Sequence, residues 1–218
     1  MSEFTHTTVL LHEAVESLVT DVNGTYVDGT YGRGGHSNLL LSHLSAQGHL
    51  LALDRDALAV TYAREKHSTD PRFTIEQCNF GDMRRVVIER NLLGKVSGIL
   101  LDIGVSSPQL DDADRGFSFM SDGPLDMRMN PQTGISAADW INSASVEEMT
   151  KVFREYGEER YAKRIAGAIE KSRSEMPFTR TLQLAEVVTA ANPAWEKHKH
   201  PATRVFQAIR IFINDELG

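Results

Sequence analysis

Val27-Asp28-Gly29-Thr30-Tyr31-Gly32-Arg33-Gly34-Gly35-His36-Ser37 is the stretch that decides the fold, together with Asp54, which closes the next apolar run, Leu50-Leu51-Ala52-Leu53. It reads as a strand, a glycine-rich turn into a helix, and a second strand ending in a carboxylate about twenty residues on. Such a turn lets the backbone approach a ligand, and an acid at that spacing accepts hydrogen bonds from the two hydroxyls of a ribose.

The glycine spacing narrows the ligand. A dinucleotide site has the form G-x-G-x-x-G, so after Gly32 and Gly34 the third glycine would stand where the chain has Ser37. Asp28, at the strand tip, would repel a pyrophosphate and attract a cation. An NAD-dependent oxidoreductase is therefore disfavoured. S-adenosylmethionine carries a sulfonium and an ammonium but no phosphate, and a methyltransferase cofactor site fits better.

Working outward, short apolar runs alternate with amphipathic stretches. Strands are expected at Thr25–Asp28, His49–Asp54, Phe73–Gln77 and Val96–Ile103, and helices at Gly35–Ala46, Asp56–His67 and Asp82–Asn91. This order predicts an α/β fold, Rossmann-like and doubly wound, with a parallel sheet covered on both faces. Ligands of such sheets bind outside the carboxyl ends of the strands. Asp28, Asp54, Asn79-Phe80 and Asp102 all fall at or just after such ends.

Residues 104–135 are rich in Gly, Pro, Ser and Asp without a period, yet carry Leu110, Phe117, Phe119, Met120, Leu125, Met127 and Met129. That apolar content predicts an ordered active-site loop. From Ser136 the signal is helical: Ser145-Val-Glu-Glu148 has the capping-box form, a helix is expected over Glu158–Ser174, another over Leu182–Ala191, and a last one over Ala202–Asp215 behind His200-Pro201. The expected organisation is a methyltransferase domain over 1–135, an inserted helical domain over 136–199, and a helix over 200–218 returning to the first domain.

Composition is that of a water-soluble protein, with 41% hydrophobic and 24% charged residues and no apolar run near the ~20 residues that span a bilayer. A single cysteine, Cys78, excludes an intramolecular disulfide framework and fits a reducing cytoplasm. The net charge of −7 is uneven: residues 1–150 hold 11 Lys+Arg against 21 Asp+Glu, whereas residues 151–200 hold 10 against 7, a net of +3. A polyanion would meet the later segment more readily. The histidines show no metal-site spacing; His198-Lys-His200 is an isolated pair.

The fourth strand runs into Asp102-Ile-Gly-Val-Ser106-Ser107-Pro108-Gln109. An exocyclic amine needs its lone pair freed from the ring, which hydrogen-bond acceptors aimed at its protons achieve. Asp102, Ser106, Ser107 and Pro108 are the candidate catalytic residues on this ground.

His6-Thr-Thr-Val-Leu-Leu11, Asp28-Gly-Thr-Tyr-Gly-Arg-Gly-Gly-His-Ser37, Asp54-Arg-Asp56, Asp102–Asp111, Arg115-Gly-Phe-Ser-Phe119, Asp122–Met129, Tyr156-Gly-Glu-Glu-Arg160 and His200-Pro-Ala-Thr-Arg204 resemble the cytosine-N4 methyltransferases of bacterial small-subunit ribosomal RNA, the methyltransferase H family. The resemblance runs along essentially the whole chain. It implies S-adenosyl-L-methionine as cofactor and a decoding-centre cytidine of 16S rRNA in the small ribosomal subunit as substrate. It implies that Gly34, Gly35 and His36 line the methionine end, Asp54 takes the ribose hydroxyls, Phe80 lies against the adenine, and Asp102 and Gln109 complete the cofactor site. Arg160, Lys163 and Arg164 of the helical insert would meet RNA. Monomer or dimer is left open.

Two departures qualify the resemblance. Gln109 follows Pro108 where amine methyltransferases acting on DNA often carry an aromatic, so base stacking would come from Phe117, Phe119 or elsewhere. The family also continues beyond the equivalent of Asp215-Glu-Leu-Gly218, so the chain is expected to be a C-terminally truncated form. In that case Ile99–Ile103 of strand four would be an apolar edge, Val205, Ile209 and Phe212 would be uncovered, and methyltransferase activity would fall below detection. The alternative function is then a catalytically dead cofactor-binding module in ribosome assembly.

Overall fold

The computed structural model describes residues 9–194 and 200–217. His6, Thr7, Thr8 and His198 lie outside the described residues. Two compact units divide the chain, residues 1–106 and 107–218.

In the first unit the order is α1 (Leu11–Leu18), β1 (Thr25–Asp28), α2 (Gly35–His43), β2 (His49–Asp54), α3 (Ala57–Lys66), β3 (Phe73–Gln77), α4 (Met83–Glu89) and β4 (Val96–Leu100). All strand pairs are parallel, in the order β3-β2-β1-β4. The in-register partners Val27, Leu51 and Ile99 share one face, and Tyr26, Leu50 and Gly98 the other. Val15, Tyr26, Leu40, Leu41, Leu44 and Leu50 form one core beneath α1 and α2. Val60 and Ala63 of α3 pack with Tyr31, Ala52 and Ile75 on the same face. Val86 and Val87 of α4 cover Val27, Leu51 and Leu53 opposite. Over β1 and β2 both faces are covered, as a parallel sheet requires, and the fold is the expected α/β, Rossmann-like one.

The first three strands match their expected limits, but β4 stops at Leu100 rather than Ile103. Beyond Leu100 no partner strand continues: β1 itself ends at Asp28, opposite Leu100. β4 is an edge strand here, and Ile99, Leu101 and Ile103 are about half exposed, at 50%, 45% and 47%.

The second unit holds α5 (Ser107–Asp111), α6 (Ala137–Ser143), α7 (Val146–Glu155), α8 (Ala162–Glu175), α9 (Thr181–Ala191) and α10 (Thr203–Asn214). Ser136 caps α6 in a full capping box with Asp139, and Ser145 caps α7. Helix α8 begins at Ala162, later than expected, because Glu158 is left-handed at φ 52° and the Glu159 carboxylate accepts the Tyr161 N–H, forming a turn first. The stretch expected as an aperiodic loop is ordered and contains α5. Its apolar residues Phe117, Leu125, Met127 and Met129 are buried, and the backbone N–H groups of Leu125 and Ala137 donate to the carbonyls of Thr179 and Asp126 respectively. Residues 107–135 thus belong to the helical unit. Val205 and Ile209, expected to be uncovered, are fully buried, and Phe212 packs on Trp140 with ring centroids 4.8 Å apart. Helix α10 buries its apolar stripe against this unit's own core.

Candidate active site

The tips of β1, β2 and β4 build one cluster. After β1 the chain turns with Gly32 and Gly34 at φ +55° and +74°, a region that suits glycine. Asp28, fully buried, faces inward: its carboxylate accepts the Thr30 N–H at 3.1 Å and the Ser37 hydroxyl at 2.6 Å. Burial raises the Asp28 pKa. Ser37 therefore has a structural reason to stand where a dinucleotide site has glycine. Asp28 shapes the turn; it does not present itself openly to a cation, as the sequence suggested.

Asp54 closes the turn from the next strand. Its carboxylate accepts the Gly32 N–H at 2.7 Å and the Asp56 N–H at 2.8 Å. Each carboxylate oxygen keeps one further acceptor site, which fits a vicinal diol. Burial pushes Asp54 up to about 6, against the pull of those two N–H groups.

Asp102 follows the end of β4. Its N–H donates to the Thr30 hydroxyl at 2.7 Å, which fastens the β4 tip to the β1 turn. Its side chain is about half exposed, at 48%, and Oδ2 stands 3.8 Å from Nδ1 of His36. The His36 ring is buried at the start of α2, and among the described residues its Nε2 has no hydrogen-bond partner. An orphaned buried nitrogen beside a half-open carboxylate marks where a polar ligand belongs. Phe80, in the short turn after β3, reaches the same end of the sheet: a Cβ on Gly29 would lie 3.2 Å from its Cβ. Ser106 approaches Gly32 similarly, at 3.9 Å.

The structure thus gathers Gly34, Gly35, His36, Asp54, Phe80, Asp102 and Ser106 in the first unit. Ser107, Pro108 and Gln109 lie on α5 in the second unit, with Gln109 buried. Arg160, Lys163 and Arg164 are exposed around the start of α8. Phe117 is buried against Arg115, and Phe119 stacks on His200 at 4.6 Å, so both phenylalanines are engaged in packing. Burial pushes the Cys78 thiol up to about 11, which disfavours the thiolate.

Sequence reading missed two supports of the turn. Thr30 joins β1 to β4 through its hydroxyl. Tyr31 props Gly34 from beneath, its hydroxyl held by Nε2 of His67 at 3.2 Å and its ring tilted on Phe73. A Cβ on Gly34 would meet that hydroxyl at 2.5 Å and the ring carbon beside it at 2.6 Å. Gly34→Ala combines this clash with left-handed strain, and should cost about 2 kcal/mol or more of unfolding free energy. Urea denaturation checks this; a midpoint unchanged from wild type would mean that the turn has room for a side chain.

A parallel sheet with a glycine turn after its first strand and a part-buried acid ending its second fits the Rossmann-like methyltransferase class. The chain matches the model of the MraW methylase family over residues 3–218, nearly its whole length, and it belongs to that family. It is accordingly an S-adenosylmethionine-dependent methyltransferase, and the family implies ribosomal RNA as its substrate class. No helix among the described residues is long and apolar enough to cross a membrane.

Proposed function

We propose that this chain methylates the exocyclic N4 amine of a cytidine in the decoding centre of 16S rRNA, acting in the cytoplasm on the small ribosomal subunit. The observation that carries this reading is the half-open Asp102 carboxylate, whose backbone Thr30 fastens to the glycine turn and whose Oδ2 stands 3.8 Å from His36 Nδ1. An anionic acceptor there suits an amine, whose protons it can bind while the nitrogen lone pair reacts.

When bound, the cofactor supplies an electrophilic methyl group on a sulfonium. Asp54 receives the ribose hydroxyls, Gly34 and Gly35 let the methionine portion approach the backbone, and Phe80 covers the adenine. The orphaned Nε2 of His36 finds its partner on the ligand side. Asp102 accepts a hydrogen bond from the target amine, with Ser106 close to the same glycine turn. Transfer of the methyl group to the nitrogen would break its bond to the sulfonium, leaving a neutral thioether, and the amine's surplus proton would go to the Asp102 carboxylate, which is open enough to release it to water.

Residues 136–199 serve in this reading as the RNA-recognition segment. Exposed Arg160, Lys163 and Arg164 and the local net charge of +3 support that role. Replacing all three by Ala should weaken small-subunit binding about tenfold or more and flatten its salt dependence. Cofactor affinity should not change. Unaltered subunit binding with the wild-type salt slope would mean that this face is merely solvated.

The test of the function is methyl transfer from labelled cofactor to small subunits, followed by digestion of the rRNA to nucleosides. Label in N4-methylcytidine supports the proposal. Label in another nucleoside refutes the assigned position, and cofactor binding without transfer favours a binding module.

A further inference from the structure

Tyr156-Gly157-Glu158-Glu159-Arg160 and His200-Pro201-Ala202-Thr203-Arg204 stand well apart in sequence, and the cofactor site uses neither. Within the helical unit they meet. Arg204 donates through Nη1 to the carbonyl oxygen of Glu158. A Cβ on Gly157 would run into the carbonyl oxygen of Arg204, so the close approach of the two segments requires glycine. Where they adjoin lies an open cleft lined by Glu159, Arg160, Tyr161, Asn192, His200 and Arg204, among others.

Several acceptors of this cleft are engaged by its own backbone. Oε1 of Glu159 accepts the Tyr161 N–H at 2.8 Å, and Oδ1 of Asn192 accepts the Ala194 N–H at 3.2 Å. Nδ1 of His200 accepts the Ala202 N–H at 3.1 Å, which places the proton of the neutral ring on Nε2. Phe119 holds that ring in position, stacked at 28° and 4.6 Å, and is itself braced edge-on by Phe206 at 4.9 Å. The lining sets the Arg160 and Arg204 guanidinium groups, the Asn192 amide NH2 and the Tyr161 hydroxyl against the carboxylate of Glu159, so positive charge and donors predominate. Helices α8 and α10 both start here, which adds the positive ends of two dipoles. Donors of this kind around one cleft suit an oxyanion.

We propose that this cleft grips a phosphodiester of the RNA strand, fixing one point of the substrate on the helical unit. A strand is favoured over a free phosphate because exposed Lys163 and Arg164 extend the positive surface from Arg160 along the start of α8. The inference rests on the RNA substrate read above.

Two measurements test it. In the first, inorganic phosphate and then a short single-stranded RNA are titrated into the protein while the His200 ring nitrogens are followed by NMR. Both should shift these resonances saturably, the RNA at lower concentration. In the second, RNA affinity is measured against salt concentration. Arg160→Gln should weaken binding ~5–10-fold and lower the log–log salt slope by ~1. Arg204→Lys keeps the charge and a donor within reach of Glu158, so it should weaken binding while keeping the slope. His200 resonances that ignore both ligands, or an Arg160→Gln slope equal to wild type, overturn the cleft. Should the wild-type protein bind no RNA, the substrate reading fails and this inference with it. Normal RNA binding by both variants overturns the cleft alone.

Discussion

Asp54→Ala should weaken S-adenosylmethionine binding ten- to a hundredfold. Two charge-assisted hydrogen bonds to the ribose are lost, worth ~1.5–3 kcal/mol together. Asp54 also anchors Gly32 through its N–H, so the glycine turn loosens as well. The same carboxylate sets a pH dependence. Its pKa of about 6 lies above the ordinary value of 3.8 because of burial, and the ribose hydroxyls need its ionised form as acceptor. Affinity should therefore fall as the pH drops through 6, by about tenfold at pH 5. For folding the sign is opposite: the native state holds this proton more tightly than the unfolded chain, so Asp54's contribution to stability declines as pH rises from 3.8 to about 6. Calorimetric titration of wild type and Asp54→Asn over this range is the check. A wild-type affinity flat from pH 5 to 8 would remove Asp54 from the ribose site.

The second large effect is on stability. Asn214, 2% exposed near the end of α10, accepts the Met129 N–H at 2.7 Å and donates to the carbonyls of Met127 at 2.7 Å and Arg210 at 2.9 Å. Met127 is buried with φ +60°, a strained conformation for a bulky residue, and the bonds on either side of it hold it there. Asn214→Ala leaves buried Met127 and Met129 backbone groups unpaired, at about 1–3 kcal/mol each. The expected loss is ~3 kcal/mol or more, from a total stability that for a protein of ordinary size is ~5–15 kcal/mol. Chemical denaturation followed through Trp140, which packs on Phe212 of α10, reads this directly. A change below ~0.5 kcal/mol would mean that water replaces the amide without cost.

What the sequence disclosed and what it hid follow from the range of the interactions involved. β1, β2 and β3 were legible to the residue because each apolar run is bounded by Gly, Asp or Asn, and the Gly32/Gly34 turn and Asp54 declared themselves by spacing. The end of β4 was not legible, since Leu101 and Ile103 continue the apolar alternation while their pairing depends on where β1 stops. The start of α8 escaped because Glu158 is left-handed only by virtue of the Glu159–Tyr161 turn behind it. Helix α5 is five residues long and contains Pro108, too short to show a period. In the site, Thr30 and Tyr31 passed unnoticed because their partners, Asp102 and His67, are remote in sequence. The direction of Asp28 is a tertiary matter too: its strand-tip position was readable, its commitment to Ser37 was not.

The central claim is that the tips of β1 and β2 hold the cofactor, and photochemical crosslinking with labelled S-adenosylmethionine tests it most directly. The account predicts saturable labelling, abolished by excess unlabelled cofactor, with the adduct in peptides spanning Asp28–Ser37, Asp54–Asp56 or Phe80. Labelling confined to α6–α10, or none that saturates, would contradict it.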